Sequence, residues 1–141
     1  MAREILFKAK RIDNGEWVEG YYAVAIDKRG LKQHNILVAD HHLGYFKWFV
    51  IDEKTLCQLT GLCDKNGNKI WENDVVKVES DVIGSPFGCG MFGKIEYSDC
   101  AFWVVPKILI ETTYLFADEC AEIEVIGNIF DNPELLGGGR E

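Results

Sequence analysis

Long apolar runs and an export signal are both missing from this sequence. A membrane-spanning helix needs roughly 20 consecutive apolar residues, whereas the longest stretch without charge, residues 82–93, is interrupted by four glycines and a proline. The first eight residues already include three charged ones and contain no apolar core of the kind found in a signal peptide. We therefore expect no membrane contact and a cytoplasmic location.

Cysteine and proline usage exclude further classes of protein. The five cysteines are an odd number and include no C-x-x-C pair, which argues against a disulfide framework, a zinc ribbon and a thioredoxin-like redox site. We expect these cysteines to be reduced and mostly structural. Only three prolines and the absence of any repeat exclude collagen-like and low-complexity chains.

Histidine is scarce as well, with three residues, and no metal site is predicted. His41 and His42 are adjacent, so in an extended chain they point to opposite sides and do not bind one ion together. The alternative, a metal or proton-transfer role for Asp40-His41-His42 in a loop, stays open. Asp64 opens a run that resembles an EF-hand loop, but Lys69 stands where that loop requires glycine, so a plain turn is expected.

The residues that are present have the balance of an ordinary globular domain. Of the 141 residues, 48% are hydrophobic, 12% aromatic and 27% charged. Acidic residues outnumber basic ones by 23 to 15, and residues 111–141 hold eight acidic residues against Arg140 alone. An acidic segment of this kind repels nucleic acid and attracts a basic protein surface. The alternative is a solvated face that only maintains solubility.

The N-terminal half is patterned as short β-strands. Apolar and polar residues alternate from Ile5 to Ala9, and an aromatic-rich run covers Trp17 to Ala25. Asn14-Gly15 separates the two runs and favours a hairpin, because both residues tolerate positive φ. Further strands are predicted at 35–39 and 45–51, so residues 1–53 are expected to form a β-rich N-terminal part.

The C-terminal half predicts a small barrel. Its candidate strands are residues 55–60, 75–78, 93–97, 101–105 and 124–129. Five short strands with a long loop over residues 79–92 fit an SH3-like barrel better than a sandwich, so residues 54–136 are assigned to such a barrel. A short C-terminal helix is expected at 131–136, because Asn132 can cap it and Pro133 suits its first turn. A flexible tail, 137–141, follows.

A glycine-rich loop, Gly88–Lys94, half-matches two phosphate-binding motifs. A P-loop requires a hydroxyl residue after the lysine, and Ile95 has none. Both motifs also require a following helix, because its N-terminal amides hold the phosphate, whereas residues 94–97 alternate like a strand. A small-molecule or nucleotide-binding enzyme that uses this loop is therefore the alternative function, and no catalytic, cofactor or metal residue is assigned.

Aromatic residues provide the other candidate site. The ones that could line a recognition groove are Trp17, Tyr21, Tyr22, Phe46, Trp48, Trp71 and Trp103. Aromatics at alternating strand positions are more often core residues. Trp71 is the best candidate for exposure, because it lies between a turn and a strand beside Glu72-Asn73-Asp74.

Four segments of the chain, in order, resemble the YopX family of phage and prophage proteins. They are ILFKAK (residues 5–10), GEWVEGY (15–21), QLTGLCDKNGNKIWENDVV (58–76) and EVIGNIFDNPELL (124–136). The family usually has tyrosine where Trp71 stands and glycine where Asn73 stands. The glycine implies a positive φ at position 73, and asparagine is the residue that tolerates this conformation next best. The resemblance implies a β-rich fold with an SH3-like C-terminal part, in a bacterial cytoplasm. It implies no established activity, ligand or catalytic residue.

These observations predict a non-enzymatic accessory protein of a phage or prophage that binds another protein. The residues proposed for the contact are Trp71, Asp118, Glu119 and Glu122, which belong to the exposed aromatics and the acidic C-terminal segment. The expected partner is a host or phage protein, and a homo-oligomer through exposed strand edges is possible. Nucleic acid is disfavoured by the charge, and no cofactor is expected.

Overall fold

The computed structural model describes residues 4–80, 91–106, 114–115 and 121–136. The chain divides into two compact units, Met1–Leu59 and Thr60–Glu141. The boundary predicted from the sequence, after residue 53, lies on the N-terminal side of this division.

The first unit is an antiparallel sheet followed by one turn of helix. Its elements are β1 (Phe7–Lys10), β2 (Trp17–Ile26), β3 (Lys32–Asp40), β4 (Tyr45–Val50), a 3₁₀ helix (Glu53–Thr55) and the start of β5 (Cys57–Cys63). The strands follow the order β4-β3-β2-β1-β5, so β4 lies at the end of this order. Tight turns with glycine at positive φ, Gly15 and Gly30, connect β1 to β2 and β2 to β3.

One face of this sheet forms the core of the first unit. Ala9, Ile36 and Ile51 are fully or almost fully buried, and Phe7, Val18, Tyr22, Val38 and Leu56 pack against them. Position 20 of this layer requires glycine, because a Cβ there would overlap the backbone carbonyl of Leu37. Since side chains alternate along a strand, the residues between these core positions lie on the opposite face.

The second unit begins within β5 and consists of short antiparallel strands. Its further elements are β6 (Lys69–Trp71), β7 (Asp74–Ser80), β8 (Met91–Ser98), β9 (Ala101–Pro106), β10 (Tyr114–Leu115), β11 (Ala121–Asn128) and a 3₁₀ helix (Pro133–Leu136). Five of the strands form a sheet of order β10-β9-β8-β7-β11, and β6 lies beside β5. Its core is apolar, with Ile70, Val76, Val78, Ile95 and Val104 buried.

The mainly β fold predicted from the sequence is confirmed, while the SH3-like barrel is not. In the described part of the second unit, β10 and β11 are the two ends of the strand order, and the recorded pairings do not join them into a closed barrel. The predicted C-terminal helix is a 3₁₀ helix of four residues. The positive φ expected at Asn73 is confirmed at 70°. The predicted tail, 137–141, lies outside the described residues.

Candidate functional site

Trp71, which we expected to be exposed, is buried, with 4% of its surface exposed. Its backbone N–H donates to the carboxylate of Asp74, 2.8 Å away, and Asp74 is itself buried. The turn between them is held by Asn73, whose N–H donates to the Ile95 carbonyl and whose carbonyl accepts from Ile129 N–H. The prediction was wrong because these polar residues fold back onto their own turn and bring the indole into the core.

Of the three acidic residues predicted to contact a partner, only Glu122 is described. It lies on β11 opposite Glu79 of β7, and its carboxylate is exposed and 4.0 Å from the ammonium of Lys65. Asp118 and Glu119 lie outside the described residues.

The glycine-rich loop is described only at its end. Residues 88–90 lie outside the described part, whereas Gly93 and Lys94 belong to β8, which continues to Ser98 as the alternation predicted. A Cβ at Gly93 would lie 2.7 Å from the Val105 carbonyl oxygen, so glycine is needed there for strand packing. The Lys94 ammonium lies 2.8 Å from the Glu96 carboxylate. In this strand the two residues have structural contacts.

Asp64 holds the turn between β5 and β6 to the strand β11. The carboxylate, 7% exposed, accepts hydrogen bonds from the backbone N–H groups of Asn66 at 2.9 Å, Asn68 at 2.8 Å and Val125 at 3.0 Å. Burial alone would raise the pKa of Asp64, but these hydrogen bonds from Val125, Asn68 and Asn66 outweigh it and lower the pKa below its ordinary value. The carboxylate is thus a structural acceptor.

His34 connects β3 to the first 3₁₀ helix. Its Nδ1 lies 2.5 Å from the Tyr22 hydroxyl, and its Nε2 lies 2.9 Å from the Glu53 carboxylate. Burial, followed by the negative charge of Glu53, raises the pKa of the Tyr22 hydroxyl. The imidazole borders an open cleft of about 630 Å³ in the first unit. Because both ring nitrogens are engaged, a ligand that bonds to this imidazole would first have to displace Tyr22 or Glu53.

Metal-ligating and nucleophilic side chains are not gathered into a site in the part of the chain that the structure describes. Those residues include no group of three or more His, Cys, Asp or Glu side chains placed to hold a metal ion. Cys57 is buried and its thiol donates to the Thr55 carbonyl, while Cys63 and Cys100 are exposed.

The outer face of the first unit carries a group of exposed aromatic side chains. Cross-strand register places Tyr21 beside Leu37 and Leu37 beside Trp48, while Phe46 lies beside Ala39 on the same face. Tyr21, Phe46 and Trp48 are 53%, 43% and 56% exposed. The rings of Tyr21 and Phe46 are perpendicular, with centroids 6.0 Å apart. We call the surface formed by Trp17, Tyr21, Leu37, Phe46 and Trp48 the outer aromatic face.

Cationic side chains border one end of the outer aromatic face. The ammonium groups of Lys8 and Lys10 lie 4.6 Å and 5.4 Å from the ring centroid of Trp17, within the range of a cation–π interaction. Glu19 shares this face of β2 because it lies two residues from Trp17 and from Tyr21. The surface is therefore aromatic from Tyr21 to Trp48, and both signs of charge lie at its Trp17 end.

The aromatic residues singled out from the sequence are divided between this surface and the interior of the two units. Trp17, Tyr21, Phe46 and Trp48, all candidates from the sequence, lie together on one face. Tyr22 packs in the core instead, and the indole N–H of Trp103 donates to the Ser98 carbonyl at 3.0 Å. Adjacent strand residues point to opposite faces, so Tyr21 and Tyr22 are expected on different sides of the sheet. Their shared residue type does not say which of the two faces the core.

Comparison with known proteins gives a family and a fold. The family model described as YopX protein matches residues 6–137. Protein yopX from Bacillus subtilis has a crystal structure similar to this one, with a TM-score of 0.53 and 20% sequence identity over 92% of this chain and 96% of that one. Protein EF1440 from Enterococcus faecalis gives 0.51 and 23% over 96% and 99%. No curated protein matches the chain.

Within the described residues, no helix has the length and apolar character required to cross a membrane.

Proposed function

The chain belongs to the YopX family, and from this premise we propose that it is a non-enzymatic module that binds another protein through its outer aromatic face. We propose further that it acts as an accessory protein of a phage or prophage in a bacterial cytoplasm. The phage assignment is supported by what the family resemblance implies. The binding assignment is supported by the structure of the first unit.

The observation that carries the proposal is the exposure of Tyr21, Phe46 and Trp48 on one sheet face. Aromatic side chains bury a large area for little loss of conformational entropy, and they dominate the binding energy of protein interfaces. Single exposed apolar residues are ordinary, but adjacent ones with charged residues at their border are typical of contact surfaces. The outer aromatic face has this arrangement.

A single-stranded nucleic acid would also stack on aromatic residues. Lys8 and Lys10 could contact its phosphates, but Glu19 lies on the same face and the whole chain has a net charge of −8. Phosphate binding requires a clear excess of positive charge. A protein partner therefore fits this surface better.

The test compares capture of partners by the wild-type chain, the Y21S/W48S variant and the matched control Y97S. Tyr97 is a suitable control because it is 50% exposed and lies on β8 of the other unit. Any protein retained by the wild type is then purified and titrated against all three by calorimetry. We expect the double variant to bind about a hundredfold or more weakly, since two interface aromatics are removed, and Y97S to bind as the wild type does.

A second arm tests the acidic segment. Charge reversal of Asp118, Glu119 and Glu122 is expected to weaken the same complex at low salt and to have little effect at high salt, because exposed charges are screened. A partner that binds Y21S/W48S and the wild type equally would refute the aromatic contact. A partner that is a nucleic acid, removed by nuclease, would refute the protein-binding function.

A further inference from the structure

The strand β4 has one side of its backbone available for pairing. It is the end strand in the order β4-β3-β2-β1-β5. Ile51 N–H donates to the His34 carbonyl at 3.0 Å, and the pairing of β3 with β4 keeps the same register. In an antiparallel ladder, alternate residues bond to alternate sides. Phe46 and Trp48 therefore direct their N–H and C=O groups away from β3.

The Val50 end of this edge is covered, whereas residues 45–48 are exposed. The Val50 carbonyl points in the same direction as those of Phe46 and Trp48, and it accepts a hydrogen bond from Ile12 N–H at 3.0 Å. In the described residues, Phe46 and Trp48 pair only with Ala39 and Leu37 of β3. The accessible edge therefore centres on Lys47.

Proteins usually protect such an edge with proline, charged residues or a bulge, because an exposed apolar edge pairs with other strands. The sequence of β4 is YFKWFV, and its one charged residue is Lys47. The ammonium of Lys47 lies 3.1 Å from the Asp40 carboxylate. Because Phe46 and Trp48 alternate with Lys47, the charge lies on the face opposite to theirs, where the Asp40 carboxylate offsets it.

We propose that two copies of the chain associate by antiparallel pairing of their β4 strands. Centred on Lys47, this pairing places Phe46 of each copy opposite Trp48 of the other, which gives two aromatic cross-strand pairs. The two lysines meet on the other face, where each has Asp40 as a counter-ion. The two first units then share one continuous sheet, and the outer aromatic face is doubled.

Charge distribution favours a second copy at this edge. Residues 1–59 contain nine Lys and Arg against eight Asp and Glu, a net charge of +1. Residues 60–141 contain six against fifteen, a net charge of −9. Two near-neutral units can approach without electrostatic repulsion, whereas contact between two second units would bring like charges together. Self-association is therefore expected through the first unit.

Sedimentation velocity from micromolar to submillimolar concentration tests this dimer. The wild-type chain should change from the mass of one chain to that of two. The variant W48P removes an N–H that points away from β3, a position where an edge strand tolerates proline. The variant W48K keeps that N–H and adds charge to the edge. We expect both variants to dimerise at least about tenfold more weakly, as for loss of a cross-strand aromatic pair and its edge hydrogen bonds.

The control variant Y97K adds the same charge at an exposed aromatic position of the other unit and should dimerise like the wild type. Circular dichroism establishes that each variant is folded, and W48K decides the test if W48P is not. A wild-type chain that stays monomeric throughout would overturn the proposal, and so would an assembly that W48K leaves unchanged. The dimer does not rest on the protein-binding function, since its measurement needs no other partner.

Discussion

Replacing Asp64 with alanine removes the acceptor that joins the β5–β6 turn to β11. Three backbone N–H groups, those of Asn66, Asn68 and Val125, lose their hydrogen bonds to the carboxylate. Hydrogen bonds to a charged group contribute about 1.5–3 kcal/mol each, so the loss of all three could lower the free energy of unfolding by at most about 9 kcal/mol. Because water reaches the two turn amides in the variant, we expect a loss of about 3–4 kcal/mol in the free energy of unfolding.

D64N separates charge from shape in the same site. One amide oxygen can still accept from Asn66 and Asn68, but the amide nitrogen then faces the N–H of Val125, and two donors meet. We expect D64N to lower the free energy of unfolding by about 2 kcal/mol, so that its stability lies between that of the wild type and that of D64A. The control E122A removes the same charge from an exposed side chain whose nearest cation is 4.0 Å away, and it should change stability by less than about 0.5 kcal/mol.

Urea unfolding followed by circular dichroism measures these free energies, and amide hydrogen exchange locates them. In D64A the Val125 amide should lose about a hundredfold or more of its protection, the equivalent of about 3 kcal/mol. Equal stability of D64A and E122A, with Val125 still protected, would refute the role assigned to the carboxylate.

Three further predictions concern acid stability and the strands of the second unit. Because the pKa of Asp64 is lowered on folding, its stabilisation is complete above the unfolded pKa of about 3.9 and is lost as pH falls through the folded pKa; the stability difference between wild type and D64N, measured by urea unfolding, should therefore narrow below about pH 4. G93A should destabilise by about 1–3 kcal/mol, since its Cβ would lie 2.7 Å from the Val105 carbonyl oxygen; an unchanged unfolding midpoint would contradict this packing. Cys100 has a φ of 63°, so C100G should raise stability and C100V lower it, each by about 1 kcal/mol in thermal unfolding; equal melting temperatures for the two would refute it.

The strands were predictable where they are long enough to show a pattern. The run from Trp17 to Ala25 corresponds to β2, and residues 93–97 lie within β8. β6 and β10 were not predicted, because strands of three and two residues are too short to show alternation. A barrel was inferred from the strand count, but closure depends on pairing between distant segments, which alternation does not specify.

The site was harder to predict because exposure depends on register. Tyr21 and Tyr22 are adjacent residues of the same type, yet Tyr21 lies on the outer aromatic face and Tyr22 contacts His34 in the core. A shift of one residue in the pairing of β2 would exchange them. Trp71 was predicted to be exposed because its neighbours in the sequence are polar. In the structure it is buried, and the carboxylate of Asp74, one of those neighbours, accepts a hydrogen bond from its backbone N–H.

Net charge is divided unevenly between the two units, and under the proposed dimer this division would limit association beyond two copies. Of the fourteen large hydrophobic side chains exposed in the described residues, eleven belong to the first unit. That unit is almost neutral, so nothing in its net charge opposes contact with another surface. The second unit carries a net charge of −9, and mutual repulsion between such units limits association beyond a specific complex. Neutralising the acidic residues should therefore promote non-specific assembly, whereas removing Trp48 should prevent the specific one.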